Sequence, residues 1–157
     1  MNSLPSARCA APSEIPDDPQ ELAELAAKAM YGDDAATQAL GMRLLSVSPG
    51  QASMAMTVRA DMLNGHKTCH GGFIFTLADS TFAFACNSRN MATVASGCVI
   101  DYLAPGFEGD VLTARATEYS LAGRTGVYDV QVSNQDGKRI AIFRGRSYRI
   151  KGQVVGD

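Results

Sequence analysis

Histidine, tryptophan and positive charge are scarce in this 157-residue chain. It has 2 histidines, no tryptophan, and 14 Lys+Arg against 16 Asp+Glu, for a formal net charge of −2. Without a basic excess it offers no broad electrostatic footprint for nucleic acid. No apolar run approaches the roughly 18–20 residues that span a bilayer. No basic start leads into an apolar segment of the secretory type. A cytoplasmic protein with neither a nucleic-acid nor a membrane partner is expected. The 4 cysteines, Cys9, Cys69, Cys86 and Cys98, form no C-x-x-C pair. Dispersed thiols and His66 beside an adjacent Cys69-His70 make a poor ligand set for zinc. Reduced cysteines and no metal follow. The missing tryptophan excludes nothing by itself.

What is present fits one domain. At 46% hydrophobic, the chain is not wholly disordered, and its length supports a core without disulfide staples. Residues 1–20 carry Pro5, Pro12, Pro16 and Pro19, four of the 6 prolines, and read as a tail. The domain is expected over 21–152, with 153–157 as a short C-terminal tail. Asp17, Asp18 and Pro19 resemble a helix start. Leu22, Leu25, Ala26 and Ala29 then keep helical spacing up to Gly32. Residues 33–41 allow a second short turn.

From Met42 the period shortens. Met42–Val47 and Met54–Val58 read as strands around a Pro49-Gly50 turn, and residues 59–72 as a loop. An apolar stretch over 72–88 is long enough to be a buried helix. Strands follow at Thr93–Leu103, Val111–Leu121, Val127–Val132 and Ile140–Ile150, four in succession and antiparallel. Gly123 marks one turn, and Asp136-Gly137 signals a two-residue hairpin. One long helix among many strands argues for an α+β fold whose sheet wraps around that helix.

On that helix the polar residues do not scatter. Thr76, Asp79, Ser80 and Asn87 fall with Ala83 on steps of three and four, making one stripe. Burial raises the pKa of such a carboxylate and nearby donors lower it; the sequence leaves the balance open. A structural role for Asp79 at a subunit interface is the bland alternative. Gly71-Gly72 opens the helix, where unpaired N–H groups and the positive dipole end suit an oxyanion. Asn64-Gly65 reads first as a tight turn, with Asn64 available to orient a water or a carbonyl. His70 either supports the loop or polarises a carbonyl. A Cys69–His70 nucleophilic dyad is disfavoured, because adjacent side chains seldom point at each other.

The stretch Leu63-Asn64-Gly65-His66-Lys67-Thr68-Cys69-His70-Gly71-Gly72, followed by Thr76-Leu77-Ala78-Asp79, resembles the hotdog-fold acyl-CoA thioesterases. The phenylacetic-acid-degradation branch is the most similar. Ala83-Phe84-Ala85-Cys86-Asn87-Ser88, Asp101-Tyr102-Leu103-Ala104-Pro105-Gly106 and Phe143-Arg144-Gly145 agree, so the resemblance covers about residues 25–152. It implies an antiparallel sheet around one helix, and homodimers that commonly pair into tetramers. It places the catalytic acid on Asp79, the oxyanion N–H on Gly71, the orienting amide on Asn64 and the motif histidine on His70. Relatives with glutamate as the acid often carry threonine one turn later. Here that place is Ala83, with Ser80 and Thr81 as candidate substitutes.

Gly71 and Asp79 are eight residues apart, about 12 Å along a helix. Two antiparallel copies of the helix bring them together: Asn64 and Gly71 from one chain, Asp79 from the other. The expected reaction is hydrolysis of an aryl-acetyl-CoA thioester, ring-hydroxylated forms included, with Asp79 as general base or nucleophile. CoA is part of the substrate, and no separate cofactor is expected. Met62, Phe73 and Phe82 are candidates for the acyl wall, and Gly72 for close approach of the ligand. Arg124, Lys138, Arg144 and Arg146 are candidates for the CoA phosphates. The rival readings are a hotdog hydratase or dehydratase using His70 with Asp79, and a non-catalytic acyl-CoA-binding protein.

Overall fold

The structure is a computed structural model that describes residues 15–156. The expected tail up to residue 14 lies outside the described residues. Helix α1 (Pro19–Asp33) begins where the sequence signals it. Asp18 caps it by accepting from the N–H groups of Gln20 and Glu21, and Pro19 takes the first turn, where its missing N–H costs nothing. Asp34 then caps a single-turn helix, α2 (Ala35–Ala39).

Two strands follow, β1 (Arg43–Ser48) and β2 (Gln51–Thr57), then the long helix α3 (Gly71–Asn87). Four strands complete the chain: β3 (Met91–Tyr102), β4 (Val111–Ala122), β5 (Thr125–Ser133) and β6 (Arg139–Gln153). They form one antiparallel sheet in the order β1-β2-β4-β5-β6-β3. The last four strands follow one another along the chain and run antiparallel, as expected, but they are not all neighbours in the sheet. β3 lies at the far edge against β6, and β4 pairs with β2. Strand order is a non-local property, and no turn signal fixes the connection from β3 to β4.

The sheet curls around α3. Met54, Met56, Leu112, Ala114, Tyr128, Val130 and Phe143 alternate along their strands and are buried with Leu77, Ala78, Phe82 and Phe84 of the helix. Phe82 packs on Tyr128 and Phe143 at ring-centroid distances of 5.5 and 5.9 Å. The close approach of helix and sheet depends on Gly145, where a Cβ would come within 2.9 Å of the Phe82 ring.

Three local expectations change. The two-residue hairpins are at Pro49-Gly50 and Gly123-Arg124, with Gly50 at φ 77° and Gly123 at φ 60°. Asp136-Gly137 instead sits in a longer loop that Asn134 closes by accepting from the N–H groups of Asp136 and Lys138. The 59–72 segment is not a plain loop. It holds a 3-10 turn (Ala60–Met62) and a tight turn from Asn64 to Thr68, and α3 already begins at Gly71. At the other end, Val154 and Val155 are not a loose tail, because the Asn90 side chain bonds both of their N–H groups and the Val155 carbonyl.

Candidate active site at the start and middle of the long helix

The turn before α3 decides which N–H group is left to bind a ligand. His70 is the N-cap, and its Nδ1 accepts from Gly72 N–H at 3.0 Å. The Phe73 N–H donates to the His70 carbonyl, also at 3.0 Å. Gly71, the first helical residue, has no partner for its N–H among the described residues. That group sits at the positive end of a 17-residue helix. Gly72 thus serves the cap, and His70 is bound to the backbone through one ring nitrogen.

Tyr102 of β3 fixes the same point from the other side. Its hydroxyl donates to the Gly71 carbonyl at 3.0 Å, and its ring covers the Gly71 Cα. Glycine at position 71 permits that contact: a Cβ would meet two Tyr102 ring carbons and the hydroxyl oxygen at 3.0–3.2 Å.

The Asn64 side chain closes the preceding turn. Its Oδ1 accepts from the N–H groups of His66 and Thr68 and from the Thr68 hydroxyl. Both readings of this residue therefore meet in one geometry. The carbonyl end is structural, and the NH₂ end has no partner among the described residues and is available as a donor.

Asp79 lies two turns along α3, half-buried, with Cys98 Sγ of β3 at 3.9 Å from its Oδ1. Burial pushes its carboxyl above the ordinary range, and the Cys98 contact pulls the other way. Burial is the larger influence, which answers the balance left open by the sequence. Within one chain Asp79 and Gly71 stay about 12 Å apart along the helix.

The remaining candidates separate. Asn87, the last member of the polar stripe, is structural: it bonds the N–H and carbonyl of Thr93 and the Ala83 carbonyl. Thr81 is fully buried and donates to the Leu77 carbonyl. The Ser80 hydroxyl meets Thr37 Oγ1 at 3.1 Å; Thr37 gives its own proton to Asp34, so Ser80 is the donor. Neither hydroxyl reaches Asp79 among the bonds found. Met62 and Phe82 belong to the core rather than to an open acyl wall, because the sheet covers that side of α3. Phe73 keeps a half-buried ring edge-on to His70 at 6.2 Å.

The basic candidates do not form one patch. Arg124 and Lys138 flank opposite ends of β5, about 30 Å apart at strand rise. Arg144 is bound in a bidentate pair to Asp129 at 2.6 and 2.7 Å and lies over Tyr119. Arg146 is exposed, with its guanidinium over Gly97. Arg124 shares a small cleft with Arg89 and Arg149, two residues that sequence reasoning had not selected. Cys69 is no nucleophile: it is buried, its thiol faces the His70 carbonyl, and burial pushes its pKa to about 11.

Sequence reasoning also passed over Cys98 and Tyr102, which contact Asp79 and Gly71. They stand four apart on β3, so they share a face, but only the folded sheet shows that this face meets α3. No group of three or more metal-ligating side chains occurs among the described residues, and no described helix is long and apolar enough to cross a membrane.

Residues 66–141 match the thioesterase superfamily. The chain is 53% identical over 131 residues to an acyl-coenzyme A thioesterase, PaaI, of Escherichia coli K12, covering 83% of this chain and 94% of that one. A solved structure of the E. coli PaaI protein from the phenylacetic acid degradation operon superposes with a TM-score of 0.85 at 51% identity, over 87% of this chain and 99% of that one. A Streptococcus mutans protein solved bound to acetyl CoA superposes with a TM-score of 0.69 at 27% identity, over 71% and 90% of the two chains. With a six-stranded antiparallel sheet wrapped on one helix and these relatives, the chain belongs to the hotdog-fold acyl-CoA thioesterases, in their phenylacetic-acid-degradation branch.

Proposed function

We propose that this chain hydrolyses aryl-acetyl-CoA thioesters, ring-hydroxylated ones included, to the free acid and CoA. The observation that carries the proposal is the Gly71 N–H, without a partner among the described residues, at the start of the helix that also bears the half-buried Asp79. The acetyl-CoA bound by the S. mutans relative supports a CoA ligand.

In this reading the thioester carbonyl oxygen accepts from Gly71 N–H, with the free amide of Asn64 orienting the carbonyl or the attacking water. Asp79 takes a proton as water adds to the carbonyl carbon, or attacks that carbon itself to give an anhydride that water then opens. Negative charge gathers on the oxygen facing the helix N-terminus, where it is stabilised most. On the first route the carbon–sulfur bond then breaks and the departing thiolate takes the proton held by Asp79; on the second the bond breaks as the anhydride forms, and the thiolate takes its proton from the water that opens the anhydride. Thiolate is a good leaving group, so the scheme involves no metal.

The 12 Å separation supports a site shared between two chains, with Asn64 and Gly71 from one and Asp79 from its partner. The exposed edge strand β3 supports such a pairing: Val94, Val99 and Tyr102 are all exposed on it. Of the basic candidates, Arg124 suits the CoA phosphates best. It pairs with no acid among the described residues and lies beside Arg149, whereas Arg144 is already engaged by Asp129.

A panel of acyl-CoA thioesters assayed for thiol release tests this reading. Phenylacetyl-CoA should turn over fastest, and Asp79→Ala should lose at least a thousandfold while keeping its fold. Near-full activity in Asp79→Ala would end the assignment. Hydration at the β-carbon without thiol release would establish the hydratase reading, and tight binding without turnover the non-catalytic one. His70 is the weak point of the hydratase scheme, because its Nδ1 is committed to Gly72.

A further inference from the structure

Around Asp79 the chain supplies unusually little. Its carboxylate makes no ion pair, and among the described residues its one hydrogen-bond partner is the Cys98 thiol, with Sγ 3.9 Å from Oδ1. Cys98 is half-buried on β3 opposite Gly145 of β6. Gly145 faces the Phe82 ring of α3, and directly paired residues point to the same side of a sheet. Cys98 therefore faces the helix by register as well as by distance.

We propose that Cys98 is a positioning residue for the reaction: its S–H donates to Asp79 Oδ1 and holds the carboxylate in one orientation on the face of α3. The proposal rests on Asp79 being the reacting carboxylate.

The chemistry suits a thiol. A carboxylate on a helix rotates freely unless something holds it, and a nucleophile or base must be held to be efficient. An arginine in this place would hold it firmly, but would also quench its basicity. A thiol is a weak donor that orients one oxygen and leaves the rest of the lone pairs for water or the acyl carbon. It is also a reliable donor, because burial and the Asp79 charge both push the Cys98 pKa up and keep it as S–H.

The other groups around the site do not compete. From α3, the Cys86 thiol is pushed up to about 12 and stays neutral. From β6, Arg146 acts on Cys98 and favours its ionisation, against the stronger effect of burial. From β5, Tyr128 is bonded to Glu118, and from the α1–α2 junction Asp34 is held by Thr37. β2 and β4 present Met54, Met56, Leu112 and Ala114 to the helix.

The test is the pH dependence of kcat/KM with phenylacetyl-CoA for wild type, Cys98→Ser, Cys98→Val and Asp79→Ala. Serine keeps a donor and should hold the acid limb at or below its wild-type position. Valine keeps the bulk but removes the donor. It should move the acid limb up by about half to one pH unit and lower the plateau about tenfold. If Cys98→Val fails to fold, Cys98→Ala carries the same expectation. A packing role predicts the reverse order, with valine benign and serine harmful. Overlay of the valine and wild-type profiles, or serine behaving like valine, would overturn the proposal. Activity surviving in Asp79→Ala would instead overturn the reading beneath it.

Discussion

Replacing Gly71 with alanine should separate activity from stability. The added Cβ would lie 3.0, 3.1 and 3.2 Å from three atoms of the Tyr102 phenol. Carbon contacts are comfortable from about 3.5 Å, so ring and helix start must part by roughly half an ångström. The Tyr102–Gly71 hydrogen bond at 3.0 Å is then lost or stretched, at about 1 kcal/mol. Alanine in place of glycine in a helix returns a similar amount, up to about 1 kcal/mol. Stability should therefore stay within about 1 kcal/mol of wild type, a few degrees in Tm. Activity has no such compensation. A half-ångström displacement of the oxyanion donor should cost roughly ten- to a hundredfold in kcat, with KM little changed. The assay is thiol release from phenylacetyl-CoA beside a thermal melt. Gly65→Ala is the control, since nothing lies within 4 Å of its Cβ position. The double variant Gly71→Ala/Tyr102→Ala removes the obstacle and should recover part of the lost kcat. Wild-type kcat in Gly71→Ala would refute the role of that N–H, and a double variant no better than the single would refute the steric cause.

Two more predictions follow from the same geometry. Because burial raises the folded-state pKa of Asp79, the folded state binds the extra proton more tightly than the unfolded chain does. Stability is then lost as pH rises from the unfolded value near 4 through the raised folded value, so Asp79→Asn should raise Tm at pH 7–8 and match wild type below about pH 4; a lower Tm at neutral pH would contradict this. Mixing inactive Asp79→Ala chains with inactive Asn64→Asp chains should restore about a quarter of wild-type activity, since half the dimers are mixed and each has one intact site. The aspartate keeps the Oδ1 that closes the 64–68 turn and replaces the NH₂ donor with a negatively charged oxygen. No recovery after verified subunit exchange would exclude a shared site.

The parts of this molecule legible in the sequence are those governed by local rules. Asp18-Pro19 announces a capped helix, and the apolar stretch with Gly71-Gly72 before it announces α3. Asp79 stands out because a carboxylate in so apolar a helix needs a reason. The rest depends on contacts between distant segments. α3 is apolar on nearly every side, so periodicity cannot tell that Phe82 and Thr81 are buried while Phe73 keeps an open side. Arg144 resembles a free cation until the β5–β6 register sets it opposite Asp129. The importance of Cys98 and Tyr102 needs β3 at the sheet edge, which no local signal specifies. Asp136-Gly137 misled for a different reason: the Asn134 side chain closes a longer loop that outcompetes the two-residue turn.

β3 connects these observations. Its Tyr102 bonds the helix start at Gly71, and its Cys98 touches the Asp79 carboxylate two turns later, so one strand contacts both ends of the proposed site on α3. It is also one of the two edge strands, with β1 at the other edge, and so has a row of backbone donors and acceptors facing away from the sheet. If two copies meet antiparallel with Gly71 opposite the partner's Asp79, the two-fold axis passes α3 midway between those positions, beside Phe75. Phe75 is half-buried and packs edge-on to Phe143 at 5.5 Å, so the helix at the axis is braced by β6, the neighbour of β3. A chain alone would then carry a positioned donor and a positioned carboxylate that cannot meet. Pairing would create two complete sites from parts already in place, with little ordering left to do when substrate arrives.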